Sequence, residues 1–346
     1  MTDSLDKLTA AEATGFATKP SPDIPLKKTK PGKTLFRIFV TLAVLALLFW
    51  QVSWQSVWRA LQSLNAQSLL LVCLLWIPTQ GFQYLRWAYL AKQAGPAVDA
   101  ADIHRGYWVG YTLGLMTPGR IGTYGRALAL KNCSLARAAG LTIVERNYSA
   151  FVLNGLGLIT LVWLPYAGWN SFLPQTGTLV SALLVLGGVL LIGLGIFPSI
   201  LAKWLRRIVH RLPLGEKLDR ALEAVQGISA RQGILLSILA LCALCSSLLQ
   251  FVLIVRGMGI ELPYITGMLA VLLNFFLKGN IPISIGNIGV GEWTAMICLA
   301  GLGVEASIAV AASLLLFFIN VFIPSLIGLP YLTSLRVPPS LKRQSA

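Results

Sequence analysis

Apolar residues in this chain fall into long blocks, separated by short polar stretches in which the basic residues gather. Six blocks, Leu35–Val52, Ala66–Leu90, Ala138–Leu164, Thr176–Ile200, Gly233–Val255 and Ala306–Leu332, are carried by Leu, Ile, Val, Ala and Phe. A helix rises about 1.5 Å per residue, so some ~20 apolar residues cross the ~30 Å hydrocarbon core of a bilayer. Each block therefore predicts a membrane-spanning helix. Two shorter apolar segments do not fit that scheme. Gly106–Met116 would reach only about 16 Å and stops at Thr117-Pro118-Gly119-Arg120, where proline cannot continue a helix. Tyr264–Leu277 runs into Lys278-Gly279-Asn280-Ile281-Pro282 and is followed by a second apolar arm, Trp293–Gly301.

Composition excludes a soluble enzyme: 56% of the 346 residues are apolar, only 12% are charged, and the mean hydropathy is +0.73. The net charge of +15 would elsewhere suggest nucleic acid. Its distribution gives it another task. Five groups, the tail to Arg37, Arg86–Arg105, Arg120–Arg146, Lys203–Arg231 and Arg336–Arg343, hold 25 of the 28 Lys and Arg residues. Six spans alternating from a cytoplasmic N-terminus place all five groups on the cytoplasmic side, as the positive-inside rule requires. That alternation works only if the two short segments turn back. The first hairpin, about 106–130, then enters from the cytoplasm, and the second, about 264–301, dips in from outside. Two short tilted spans are the alternative.

The predicted organisation is a disordered cytoplasmic tail over 1–34, a single transmembrane domain over 35–335 and a cytoplasmic tail over 336–346. Lys27, Lys28, Lys30 and Lys33 before the first block raise a signal peptide, but Phe49-Trp50-Gln51-Val52 lacks a small-x-small cleavage pattern, which favours an uncleaved anchor. Within 201–232, Trp204, Leu205, Ile208 and Val209 interleave with Lys203, Arg206, Arg207 and Arg211, the pattern of a cytoplasmic amphipathic helix on anionic lipid.

The two hairpin turns share a pattern. Residues 118–125 and 282–289 both read Pro-x-x-Ile-Gly-x-x-Gly. Opposed repeats with helices broken near the midplane recur in transporters, and irregular backbone at that depth needs cover from protein or a wet cavity. The fold expected is all-α and polytopic: six full transmembrane helices plus two oppositely oriented re-entrant hairpins, an inverted repeat.

Chemistry concentrates in these turns. Gly122 and Gly125 allow close backbone approach and positive φ, and a second arm, Ala127–Leu130, would aim its free amides into the turn. Arg120 and Arg126 add guanidinium forks suited to phosphate; snorkelling to anionic headgroups is the plainer role for both. The second turn offers Ser284, Asn287 and Gly289, with Lys278 closing one arm and Glu292 opening the next. Ionisable groups at membrane depth are functional candidates by default, although Glu292 also suits a helix N-terminus and could pair with Lys278. Glu145 and Arg146 face different sides of the third span and each needs its own partner, with Arg120 or Arg126 available to Glu145. Arg37 and Arg86, near span ends, read as snorkelling residues. Cys242 and Cys245 read as packing residues, the other cysteines are scattered, and His104 and His210 form no metal-ligand group. No Gly-x-Ser-x-Gly, Walker or dinucleotide pattern occurs, so neither a cofactor nor a metal is expected.

Gly114-Leu115-Met116-Thr117-Pro118-Gly119-Arg120-Ile121-Gly122 with Arg126-Ala127-Leu128, then Glu145-Arg146, then Pro282-x-Ser284-x-Gly286-x-x-Gly289-x-x-Glu292, resemble in order three motifs of the lysylphosphatidylglycerol synthase transmembrane (flippase-like) family. The resemblance spans roughly Leu35–Leu332 and implies a polytopic inverted-repeat domain. In the best-known relatives that domain is joined to a cytosolic aminoacyl-transferase and translocates the aminoacylated phospholipid. This sequence departs from the family in having Thr123 and Asn147 at positions that are often acidic, which weakens the case for a cationic lysyl headgroup. It ends at Ala346 without a transferase region, so a stand-alone member is expected.

The function these readings predict is a bacterial inner-membrane protein that binds and flips a phosphate-bearing lipid, a phospholipid or polyprenyl-phosphate conjugate. Gly119, Arg120, Gly122, Gly125, Arg126, Glu145, Arg146, Lys278, Ser284, Asn287, Gly289 and Glu292 would line its path. The alternative is a non-transporting accessory subunit of a lipid-modifying enzyme or glycosyltransferase. A third reading, an intramembrane enzyme using Glu292 as acid or base, lacks a neighbouring nucleophile or metal group, and no catalysis is expected. Membrane lipids are the expected partners and nucleic acid is not; a membrane enzyme partner and a homo-oligomer are both left open.

Overall fold

Asn65 and Ser134 each accept a hydrogen bond from the backbone amide three residues on, opening helices of 26 and 29 residues. Ser229 does the same for a 28-residue helix and completes a capping box with Gln232. These helices come from a computed structural model that describes residues 46, 50, 52–117, 119–164, 177–197, 200, 228–281, 284 and 286–335. Most of the predicted first span, the amphipathic segment over 201–227, both tails, and Pro118, Pro282, Ile283 and Ile285 lie outside the described residues.

In order, the elements are α1 (Trp54–Gln62), α2 (Ala66–Ala91), a 3-10 turn (Lys92–Ala94), α3 (Ala100–Leu115), a 3-10 segment (Ile121–Ala129), α4 (Leu135–Trp163), α5 (Thr178–Ile196), α6 (Ala230–Gly257), α7 (Tyr264–Asn280), α8 (Val290–Ala300) and α9 (Ala306–Phe317). A π segment (Phe318–Phe322), α10 (Ile323–Gly328) and a final 3-10 stretch (Leu329–Ser334) complete the last helical run. Every regular element among the described residues is helical. Four stretches, Ala66–Ala94, Thr178–Ile196, Ala230–Gly257 and Ala306–Thr333, are long and apolar enough to cross a membrane. α4 matches them in length but carries Arg137, Glu145 and Arg146.

Leu179, Leu183, Leu186 and Leu190 of α5 are exposed, and the buried residues of α5 are Gly188 and Gly195. Such an apolar surface is far larger than a soluble monomer shows and suits lipid contact. Where helices meet, glycine lets backbones approach: a Cβ on Gly155 would meet the Gly188 carbonyl and one on Gly188 the Gly155 carbonyl, joining α4 to α5. α2 and α6 pack antiparallel, the Asn65 amide bonding to the Gly257 carbonyl at 3.0 Å.

Both short predicted segments form hairpins, with longer arms than the sequence suggested. The first begins at Ala100 instead of Gly106, because Asp99 caps it and the apolar count had excluded the polar turn Asp102–Arg105. Its 16 residues still rise only about 24 Å. The return arm is the 3-10 segment Ile121–Ala129, not a short helix at Ala127–Leu130. In the second hairpin, α7 and α8 are tied by the Thr294 hydroxyl donating to Asn274 Oδ1 at 2.6 Å. Each hairpin has its own hydrophobic cluster: one centres on Trp87, Tyr107, Leu130 and Leu141 around the first, the other on Phe251, Val271, Leu299 and Val310 around the second.

The short helix α1 was not expected from the sequence pattern. Ser53 caps it, Val57 and Ala60 are buried against the core, and Trp54 and Trp58 stay exposed. Two tryptophans four residues apart on a short helix are typical of a membrane interface.

Candidate functional site

Gly106, Gly110 and Gly114 follow at intervals of four on α3, so they share one face of that helix. The 3-10 segment lies against this stripe. A Cβ on Gly106 would sit 3.0 Å from the Arg126 carbonyl, one on Gly110 would sit 2.7 Å from Arg126 Nε, and one on Gly114 would sit 2.6 Å from Thr123 Oγ1. The stripe is therefore the bed in which Arg126 and Thr123 are held. The sequence reading overlooked it; the i, i+4, i+8 spacing of small residues was the available signal.

Arg126 closes a buried triad. Its Nη1 donates to Glu145 Oε2 at 3.0 Å, while Arg86 Nε and Nη2 donate to Glu145 Oε1 at 3.0 and 2.6 Å. Arg86, Arg126 and Glu145 are 3–5% exposed, so Arg86 does not snorkel. Sequence distance hid this: Arg86 lies 59 positions from Glu145, and nothing local separates a snorkelling arginine from a buried one. A buried ion pair costs desolvation, which here is offset by three charge-assisted hydrogen bonds on one carboxylate.

Three guanidinium groups also lie over aromatic faces. Arg126 is 5.0 Å from the Trp87 ring centre and 5.9 Å from that of Tyr107, Arg120 is 5.3 Å from Tyr111, and Arg146 is 5.9 Å from Tyr124. The Tyr107 and Tyr111 hydroxyls reach Gln80 Oε1 at 2.7 and 2.9 Å, which fixes both rings. Stacking of this kind attracts a cation without neutralising it. Arg86 Nη1, Arg120 Nε, Arg126 Nε, Gln80 Nε2, Thr123 Oγ1 and Ser284 Oγ are all buried without a hydrogen-bond partner among the described residues.

Of the two properties expected of Gly122 and Gly125, close approach holds and positive φ does not. Gly119 and Arg120 take the left-handed conformation, both at φ 57°, whereas Gly122 and Gly125 do not. Gly122 is required by contact instead: a Cβ there would run into the Leu113 carbonyl, and one on Gly125 into Leu113 Cδ1. Nor is the Gly122 amide free for an anion, since it donates to Thr117 Oγ1 at 2.5 Å. Arg120 in the left-handed region costs about 1–2 kcal/mol, a strain that must be held by its surroundings.

In the second hairpin the left-handed residues are Gly286, Asn287 and Gly289. The shared sequence pattern thus does not produce a shared backbone path. Glu292, 1% exposed, accepts from the Gly289 amide at 2.6 Å and from the Ser313 hydroxyl at 3.2 Å. It forms no ion pair with Lys278, whose ammonium nitrogen lies against Gly291, 2.9 Å from where a Cβ would be.

The two turns meet. The Gly119 amide donates to the Ser284 carbonyl and the Gly286 amide to the Thr117 carbonyl, both at 3.3 Å. Gly119, Arg120, Gly122, Gly125, Arg126, Glu145 and Arg146 thus gather on one side of this contact, and Lys278, Ser284, Asn287, Gly289 and Glu292 belong to the other.

The model of one protein family, described as the lysylphosphatidylglycerol synthase TM region, matches residues 34–328. The chain belongs to that family. With its apolar helices, this makes it a multi-pass membrane protein related to lipid handling. No curated protein and no solved structure matches it.

Proposed function

We propose that this family member binds a phosphate-bearing lipid and moves it between leaflets along a path lined by the two hairpins. The observation that carries this reading is the guanidinium cluster: Arg86 and Arg126 on the Glu145 carboxylate with Arg120 and Arg146 close to Arg126, three of the four having a buried nitrogen without a partner among the described residues. Phosphate oxygens accept hydrogen bonds and carry the complementary charge, and arginine forks match their geometry. Access alternates as the Thr117–Gly119 and Ser284–Gly286 contact opens and closes. This reading is transport and not catalysis, and the engagement of both Glu292 oxygens by Gly289 and Ser313 supports it.

The arrangement proposed in the membrane is six spans and two re-entrant hairpins in the bacterial inner membrane, with both termini cytoplasmic. The antiparallel helix pairing described above and the basic clusters in the sequence support it.

Reconstitution in liposomes with fluorescent phospholipids tests the function. The full chain should accelerate exchange between leaflets, and an Arg120→Ala/Arg126→Ala variant should lose at least about tenfold of that rate, ~1.4 kcal/mol of barrier. Arg120→Ala alone, which leaves the triad with Glu145 intact, separates a transport defect from misfolding. Unchanged exchange in both variants would overturn the reading.

A further inference from the structure

Among the described residues, the acidic side chains within the helical arms around the site are Asp102, Glu145 and Glu292, and none is available to a ligand: Asp102 is held by Arg105 and the Lys131 amide. Both oxygens of Glu145 are held by Arg86 and Arg126, and both oxygens of Glu292 by Gly289 and Ser313, with each residue nearly fully buried. A ligand ammonium entering this site would meet no carboxylate to pair with.

The positive side is in surplus. Arg120, Arg146 and Lys278 have no carboxylate within 4.0 Å among the described residues; with the triad's one net positive charge and Glu292, which attracts Lys278 from further off, the site keeps a formal surplus of three positive charges. These groups are close enough to act on one another: Arg126 and Arg146 repel Arg120, and Arg120 repels Lys278. Like charges held together away from water are costly unless a counter-charge joins them. The unpartnered atoms point the same way. Arg86 Nη1, Arg120 Nε, Arg126 Nε and Gln80 Nε2 can only donate, and the hydroxyls of Thr123 and Ser284, 1% and 0% exposed, can also donate.

We propose that the site selects a lipid headgroup bearing two or more negative charges and no ammonium, a lipid phosphomonoester or diphosphate. It ranks this headgroup above a singly charged phosphodiester and above any cationic headgroup. The inference rests on the lipid-binding reading above and narrows it. Surplus charge and surplus donors both call for a ligand of acceptors only, and a single phosphodiester charge leaves most of the surplus unmatched.

Binding to the purified full chain, followed by quenching of its tryptophan fluorescence, tests the order. The probes are phosphatidic acid, farnesyl diphosphate, phosphatidylglycerol, lysyl-phosphatidylglycerol and inorganic pyrophosphate. Phosphatidic acid and farnesyl diphosphate should bind about tenfold or more tighter than phosphatidylglycerol, with lysyl-phosphatidylglycerol weakest. Lys278→Met should shrink the preference for the doubly charged probes, and Thr123→Asp should raise the affinity for lysyl-phosphatidylglycerol. Lysyl-phosphatidylglycerol binding as tightly as phosphatidic acid overturns this inference alone, because a phosphate-bearing lipid is still bound. Inorganic pyrophosphate binding as tightly as farnesyl diphosphate assigns the site to a free anion and overturns the lipid assignment. Failure of every probe to bind overturns both this inference and the function it narrows.

Discussion

Gly122 and Gly81 look alike in the sequence, yet their surroundings set opposite demands on them. Around Gly81 in α2 there is nothing within 4 Å of a Cβ, whereas a Cβ on Gly122 would overlap the backbone carbonyl of Leu113. Backbone cannot swing aside as a flexible side chain can. Gly122→Ala should therefore destabilise the protein by about 1–3 kcal/mol, the usual range for overpacking. Gly81→Ala should instead stabilise it by about 0.5–1 kcal/mol through helix propensity. Thermal unfolding in detergent measures both. Residue type and the close approach at Gly122 were thus legible in the sequence, and the backbone path of the turn was not. Gly122 is needed for contact instead of positive φ, and Arg120 takes the left-handed conformation that the sequence reading had assigned to glycine.

The last helical run shows at the element scale how the hairpins are joined. Its first half, α9, is attached to the second hairpin by Ser313 on Glu292. Its second half, α10, is attached to the first: the Thr112 hydroxyl donates to the Ser325 carbonyl at 2.7 Å, and the Ser325 hydroxyl reaches the Tyr111 carbonyl at 3.1 Å. Between them lies the π segment, where Asn320 Nδ2 donates to Gln250 Oε1 at 2.8 Å. Segments of this type often mark functional positions in helices. Thr112→Val keeps the shape and removes the hydrogen bond to the Ser325 carbonyl, a loss of about 0.5–1.5 kcal/mol. Hydrogen exchange followed by mass spectrometry should then speed up over 323–334 and stay unchanged over 306–317. Acceleration in both halves would mean that the π segment does not separate them. From the sequence, Ala306–Leu332 reads as one uniform span, since Pro324 is tolerated in the first turn of a helix and a π segment has no sequence signature.

At the scale of the whole molecule, the basic residues predict which side of the membrane each loop occupies, and helix pairing agrees with that prediction in its consequences. Asn65 and Gly257 share one end, as do Ile196 and Gly233, where a Cβ on Gly233 would strike the Ile196 carbonyl. Lys131→Cys and Glu261→Cys, each in a cysteine-free chain, report the two sides. In intact cells, a membrane-impermeant maleimide should label the Glu261→Cys protein and should reach the Lys131→Cys protein only after permeabilisation. The reverse pattern would invert the topology.

The sequence by itself determined the class of this protein. Block length and apolar content are local properties, so an all-helical membrane protein, four of the six predicted spans and the family motifs could be read from it. Charge placement is equally local and gave an orientation to test. Only the tertiary structure decided which charges are paired, because Arg86 meets Glu145 across 59 positions and no local rule reports such a contact. Only the tertiary structure, likewise, brought the turn at Gly119 against the turn at Ser284 and left Arg120, Arg146 and Lys278 with no carboxylate within 4.0 Å among the described residues. Spans follow from the free energy of transferring each segment into lipid; a site follows from where packing brings distant side chains together.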